Sequence, residues 1–133
     1  MKETIYIPKK ETIYIPKDAR ILVVEDNAQR ILWFRGHLSF SRTEYAMTCA
    51  EALNCLQDGA PYDIIFLDHD AGLPFDENDT FYDVAVRLNE LDYRKVVIIH
   101  SMNPAGARRM RTCMKNAYGF CFPFGTFEIA AKP

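Results

Sequence analysis

The sequence predicts an α/β protein: a doubly wound five-stranded parallel sheet with helices on both faces. Short apolar, largely β-branched runs recur at 21–24, 64–67 and 96–99, the pattern of strands buried on both faces. Segments of helical period separate them. Each run ends in reactive side chains: Glu25-Asp26-Asn27, Asp68-His69-Asp70 and His100-Ser101-Met102-Asn103. In an open parallel sheet the carboxyl ends of the strands share one edge, and ligands bind there.

The elements follow in order. Residues 2–9 and 10–17 are the same octapeptide, Lys-Glu-Thr-Ile-Tyr-Ile-Pro-Lys. Thr, Ile, Tyr and Ile alternate as in a strand, and Pro8 and Pro16 end each run. Residues 1–19 are read as an arm, flexible or partly strand-like, and 20–133 as the domain. Pairing of the arm with another chain is the alternative. After the strand 21–24, Asn27 caps a helix to about Leu38 with Ile31, Phe34 and Leu38 on one face. A short strand near 45–48 leads to a helix over 50–57, ended by Asp58-Gly59. A strand over 63–67 is followed by a loop at 71–79 rich in Gly, Pro and acids. Thr80 with Asp83 resembles a capping box for a helix over 81–91. A strand over 95–99 follows. Asn103 then caps, and Pro104 begins, a helix to about Ala117. Residues 120–122 make the fifth strand.

Composition bounds the function. The 133 residues, 49% apolar, fit one domain with a real core. A net charge of −2 gives no global field for nucleic acid or membrane. Charge is nevertheless segregated. Residues 63–92 hold nine acids and one base, Arg87, whereas 104–117 hold four bases (Arg108, Arg109, Arg111, Lys115) and no acid. No stretch is long enough to span a bilayer, and the start does not read as a secretory signal, so a cytoplasmic location is expected. Cys49, Cys55, Cys113 and Cys121 form no Cys-x-x-Cys pair and read as reduced core thiols.

Five such strands, an acidic pair after the first and an Asp after the third resemble the response-regulator receiver domain, a CheY-like, flavodoxin-like fold, over about residues 20–125. The sequence at 23–27 is similar to the receiver's acidic metal-binding corner, and 65–68 to the segment carrying its phosphoacceptor. Phe122-Pro123-Phe124 resembles its Lys-Pro-Phe motif with Phe122 in the lysine's place. His100 stands where a receiver keeps Ser or Thr, and His69 directly follows the acceptor position. Nine residues follow Phe124, too few for a full fifth helix. Leu-Asp-His-Asp together with Ile-His-Ser-Met-Asn-Pro-x-Gly-Ala is similar to a divergent branch, the cyclic-phosphate-processing receiver domains. The resemblance implies hydrolysis of a cyclic phosphate, either an RNA 2′,3′-cyclic phosphate end or a cyclic nucleotide.

The chemistry of the residues fits that implication. Glu25, Asp26 and Asp68 are candidate ligands for one Mg²⁺ or Mn²⁺, with Asp70 as a fourth ligand or as the group orienting His69. His69 and His100 are candidate acid and base, with Asp68 the third catalytic candidate. Ser101, Asn103, Gly106 and Arg108, at the start of a helix, are candidate phosphate contacts. His37 has no assigned role. Two rivals remain: a phosphorelay receiver phosphorylated at Asp68, and a non-catalytic binding module. Without a fifth helix, the sheet near its first and fifth strands needs cover from the arm, the tail or a second chain, and a homo-oligomer is one expected outcome.

Overall fold

The computed structural model describes residues 10–69 and 81–133. The first octapeptide copy, Asp70, the acidic loop and Thr80 lie outside the described residues. Eleven elements alternate along the described chain. They are β1 (Glu11–Ile15), β2 (Arg20–Val24), α1 (Ala28–His37), β3 (Arg42–Ala46), α2 (Cys49–Cys55) and β4 (Ile64–Leu67). They continue with α3 (Tyr82–Glu90), β5 (Val96–Ile99), α4 (Pro104–Cys113), β6 (Tyr118–Cys121) and β7 (Phe127–Ala131). Five strands form an all-parallel sheet in the order β3-β2-β4-β5-β6, so the predicted fold class is correct. No described helix is long and apolar enough to cross a membrane.

Alternate residues of the central strands fill two cores. Leu22, Val24, Ile65, Leu67, Val97 and Ile99 face α2, α3 and α4. Ile21, Val23, Ile64, Phe66 and Ile98 face α1, through Phe34 and Leu38. The continuous apolar runs that marked these strands are the consequence of burial on both sides. No disulfide joins the four cysteines, which are half-buried and pack against the core beneath α2, α3 and α4, as expected of reduced core thiols.

Among the described residues no fifth helix covers the second face. In its place β1 pairs in parallel with β7, with Ile13 opposite Ile129 and Ile15 opposite Ala131. Ile15, Phe127 and Ile129 bury their side chains against Ile21, Phe66 and Ile98. The second octapeptide copy and the tail together therefore cover this face over β2, β4 and β5, whereas Tyr118 and Phe120 of β6 stay exposed.

Element ends differ from expectation where side chains intercept the backbone. The third strand runs over 42–46 rather than 45–48, because Thr48 caps α2. Its hydroxyl accepts from the Glu51 N–H at 3.0 Å, while the Glu51 carboxylate accepts from the Met47 N–H at 2.9 Å, close to a capping box. Helix α4 stops at Cys113, four residues before the expected end. The Lys115 N–H is taken by the Asn89 side chain at 3.2 Å, and Asn116 is held by Asp92 at 2.6 Å. Strand β6 accordingly starts at Tyr118 rather than 120. Helix α3 begins after Phe81, whose side chain makes no capping bond.

Phe127 is the test of the ribbon. It is 1% exposed, so Phe127→Ala should lower stability by about 3–5 kcal/mol. The exposed neighbour substitution Glu128→Ala should change it by less than about 0.5 kcal/mol. Urea denaturation followed by circular dichroism measures both.

Candidate metal and phosphate site

Register places the reactive strand ends. Val23, Phe66 and Ile98 are aligned across β2, β4 and β5. The ladder continues one step further: the Asp68 N–H donates to Val24 C=O and the His100 N–H to Leu67 C=O, both at 3.0 Å. Two residues beyond the aligned row stand Glu25, Asp68 and His100. With a strand period of two, all three fall on the α1 side.

They meet there. Each offers a ligand atom, and those atoms lie within 4.8 Å of one another. Glu25 and His100 have no exposed surface, and Asp68 is nearly buried. His100 Nε2 lies 3.2 Å from Glu25 Oε1. The other Glu25 oxygen accepts from the Asp26 and Asn27 N–H groups at 2.9 and 3.2 Å. Burial pushes the Glu25 carboxyl up, but the opposing interactions, led by the His100 hydrogen bond, outweigh it and hold the group at about 2. Burial also dominates at His100 and lowers the imidazole below its usual value, against the pull of Glu25. The pair is thus an ionised carboxylate and a neutral imidazole. The geometry assigns the imidazole proton to Nε2. His100 Nδ1 is buried with no hydrogen-bond partner. The ring itself packs edge-on to Phe34, centroids 5.2 Å apart.

Arg30, which the sequence did not single out, closes this cluster. Its guanidinium lies 3.5 Å from Glu25 Oε1 and 4.0 Å from Asp68 Oδ2. It also sits over the Phe124 ring at 4.8 Å. The available signal was position: Arg30 is in the first turn of α1, three residues past the cap Asn27, and so is carried to the strand edge. It places a cation beside Asp68 where position 122 lacks one.

The other sequence candidates separate from the cluster. Asp26 adjoins Glu25 but is not one of the three converging groups. Burial first, then the hydrogen bond and charge of Glu25, push its carboxyl up to about 6. His69 turns to the opposite face, as adjacent strand residues do. Its ring packs on Gly106 in the first turn of α4, where a Cβ would lie 2.5 Å from His69 Nε2. The two imidazoles therefore do not share one cluster. Ser101 is buried, and its hydroxyl accepts from the Asn103 N–H at 3.0 Å. The Asn103 side chain caps α4 by accepting from the Gly106 N–H at 3.0 Å. Both residues shape the helix start next to His69. Arg108 is exposed on the next turn. His37 is spent on the Trp33 carbonyl at 2.7 Å. Asp70 lies outside the described residues.

The donor set suits a divalent cation. Bonds of roughly 2.0–2.2 Å separate ligand atoms by about 3–4 Å, and the ligand atoms of Glu25, Asp68 and His100 lie within 4.8 Å of one another. His100 would ligate through Nε2, the nitrogen that faces Glu25, with its proton moved to Nδ1, which has no hydrogen-bond partner.

A family model described as the cyclic-phosphate processing receiver domain matches residues 20–116. The chain belongs to this family. No curated protein matches the sequence. Solved receiver domains are similar in fold. The N-terminal domain of a response regulator/sensory box/GGDEF 3-domain protein from Carboxydothermus hydrogenoformans is 22% identical, with 80% of this chain and 83% of that one covered and a TM-score of 0.60. The non-phosphorylated HemR receiver domain from Leptospira biflexa is 24% identical, with coverages of 81% and 83% and a TM-score of 0.60. A CheY-like receiver domain protein from Methanospirillum hungatei is 17% identical, with coverages of 82% and 85% and a TM-score of 0.59. At these identities the likeness is one of fold. This member of the cyclic-phosphate processing family keeps the receiver sheet and replaces the fifth helix with a two-stranded ribbon.

Two measurements probe the site without assuming an activity. Gly106→Ala forces the His69 ring to move and should destabilise the fold by about 1–3 kcal/mol. In a His69→Ala background the same change should be nearly neutral, so the double-mutant cycle should show strong coupling. Additive effects would mean that the ring does not pack there. Asp26 tests the electrostatics. Its carboxyl is raised in the fold to about 6, so the folded state binds more protons between about pH 4 and 6. Its contribution to stability therefore falls as pH rises through that window. Asp26→Asn should flatten the decline, and thermal melts at pH 4 and pH 7 should show it stabilising only at the higher pH.

Proposed function

We propose that this domain hydrolyses a cyclic phosphate with the help of a divalent cation held by Glu25, Asp68 and His100. The carrying observation is the convergence of those three groups at the ligand edge of a chain whose family is described by cyclic-phosphate processing. Imidazole in the donor set favours Mn²⁺ over Mg²⁺. Such an ion would supply charge neutralisation for the phosphate and acidify a water. Arg30 adds positive charge on the same side. Ser101 and Asn103 set the start of α4, whose N–H groups and dipole favour an anion.

Proton transfer falls to His69 in this reading. Its ring is held by Gly106 beside the helix start, away from the carboxylates. Water oxygen bonds to phosphorus and gives up one proton to solvent, one ring P–O bond breaks, and the departing oxygen takes a proton from His69 Nε2, which solvent then restores. His100 shifts from the acid–base role suggested by sequence to a ligand role, because it is bonded to Glu25 and neutral. The substrates in view remain a 2′,3′-cyclic phosphate RNA end and a cyclic nucleotide.

The phosphorelay reading has one observation in its favour. Arg30 lies 4.0 Å from Asp68 and supplies the cation that Phe122 cannot. Phosphorylation at Asp68 by a small phosphodonor would support it.

Mutations separate the roles. His69→Ala should lower turnover of a 2′,3′-cyclic nucleotide by roughly 10²–10⁴-fold with Mn²⁺ affinity unchanged. His100→Ala and Asp68→Ala should each weaken Mn²⁺ binding, read by titration calorimetry. An inactive wild type that forms an acyl phosphate, lost in Asp68→Asn, would replace hydrolysis with phosphorelay.

A further inference from the structure

The duplicated octapeptide is a motif that the site does not use. Residues 2–9 repeat residues 10–17 without a change, and the second copy has a defined place. Its Ile15 is buried and its Ile13 half-buried beneath the ribbon, while Thr12 and Tyr14 are exposed. The first copy has the same alternation, with Ile5 and Ile7 at one parity and Thr4 and Tyr6 at the other. Identical residues carry identical strand propensity.

Next to the ribbon, an apolar strip on the same face of the sheet is left uncovered. Tyr118 and Phe120 are in register with Val96 and Ile98, which point into the core beneath the ribbon. The two rings therefore share that face, yet they are 66% and 44% exposed. Phe122 lies parallel to Phe120, centroids 6.1 Å apart, and is half-buried. Two observations set β1 on the side of these rings. The Phe127 ring of β7 meets Trp33 of α1, centroids 5.6 Å apart, so β7 is the ribbon strand toward α1. Ile129 of β7 is buried, whereas its β1 partner Ile13 is only half-buried. Among the described residues β7 is the one neighbour of β1, and an open strand edge takes up a further strand. The Glu11 N–H donates to Thr126 C=O at 3.2 Å and the Lys132 N–H to Ile15 C=O at 2.7 Å. Odd-numbered backbone groups of β1 thus face β7, and those of Thr12 and Tyr14 face the open edge.

The first copy departs from the right place. The Glu11 bond to Thr126 puts Lys10 at the loop between β6 and β7, and the Phe124 N–H bond to His100 C=O sets that loop at the edge where β5 ends. Eight extended residues span about 26 Å, and the five from Tyr118 to Phe122 about 16 Å, so one copy can run the length of β6. A three-residue connection over Pro8-Lys9-Lys10 sets Ile5 opposite Ile13 and Ile7 opposite Glu11. Pro8, which has no N–H, then falls in the turn. The same register brings the backbones of Tyr6 and Thr4 to those of Thr12 and Tyr14, and turns both isoleucines toward the sheet. We propose that residues 3–7 form an antiparallel third strand on the open edge of β1, with Ile5 and Ile7 covering Phe120 and Phe122. Apolar surface of this kind is rarely left open, and the segment that fits it is already tethered beside it.

Hydrogen exchange of the full chain, read residue by residue by NMR, is the first test. The Thr12 and Tyr14 amides should exchange about tenfold more slowly than in a chain lacking residues 2–9. A double-mutant cycle is the second. Ile5→Ala and Phe120→Ala should couple by about threefold in the unfolding constant, whereas Ile5→Ala and Leu32→Ala, the latter exposed on α1, should add. The deletion and these substitutions leave β1, β7 and the core beneath them intact, so each variant should keep the wild-type circular dichroism. The chain should sediment as a monomer at the concentrations at which protection is measured. Equal exchange rates with and without residues 2–9, or additive effects of Ile5→Ala and Phe120→Ala, overturn the proposal. A dimer whose Thr12 and Tyr14 protection fades on dilution would mean that the strand is given to a second copy, and overturns it as well.

Discussion

A carboxylate with no exposed surface has to be met by protein protons, and Glu25 is such a group. Its partners come from three separate places: the backbone at Asp26 and Asn27, the Arg30 guanidinium on α1, and the His100 ring at the end of β5. The first turn of α1 and the register of β5 against β4 are therefore tied to one side chain. A shift of one residue in β5 would turn His100 to the other face. It would leave Glu25 charged, buried and short of a donor, which is among the more costly faults a core can carry. Burial, acting against the pull of Glu25, lowers the His100 imidazole.

The strand period then divides the candidate site into two halves. Glu25, Asp68 and His100 lie with Arg30 on the α1 side, and His69 lies with Gly106 on the α4 side. The sheet edge runs between them. A ligand serving both halves would have to straddle the ends of β4 and β5, one end near the carboxylates and the other near the start of α4. Arg30 is the natural counterion for the first half while it holds no other cation, since two carboxylates so close repel one another.

Replacing a helix by a two-stranded ribbon has effects at both ends of the fold. On one side the loop between β6 and β7 sets Phe124 beneath Arg30 and against His100, and the Phe124 N–H donates to the His100 carbonyl at 3.2 Å. The cover of the core and the geometry of the site are thus built from the same segment. On the other side the ribbon is narrower than a sheet flanked by helices needs, and β6 keeps its aromatic rings in solvent.

Much of this was legible in the residues. The three apolar runs announced strands buried on both faces, and the acids and histidines after them announced a ligand edge, because a parallel sheet gathers its carboxyl ends on one side. Asn103 and Pro104 announced the start of α4, a local matter of which N–H lacks a partner. The ribbon that covers the α1 face was not legible. The tail pairs with residues more than a hundred positions away, and no local propensity encodes that contact. Arg30 escaped notice because its role depends on the distance from α1 to β4, and the ends of α2 and α4 moved because Thr48 and Asn89 captured N–H groups that helical period alone leaves unassigned. The sequence by itself determined which chemistry could gather at the sheet edge. The tertiary structure alone decided which of those groups touch, because side-chain parity and strand register put His100 with the carboxylates and His69 with the helix.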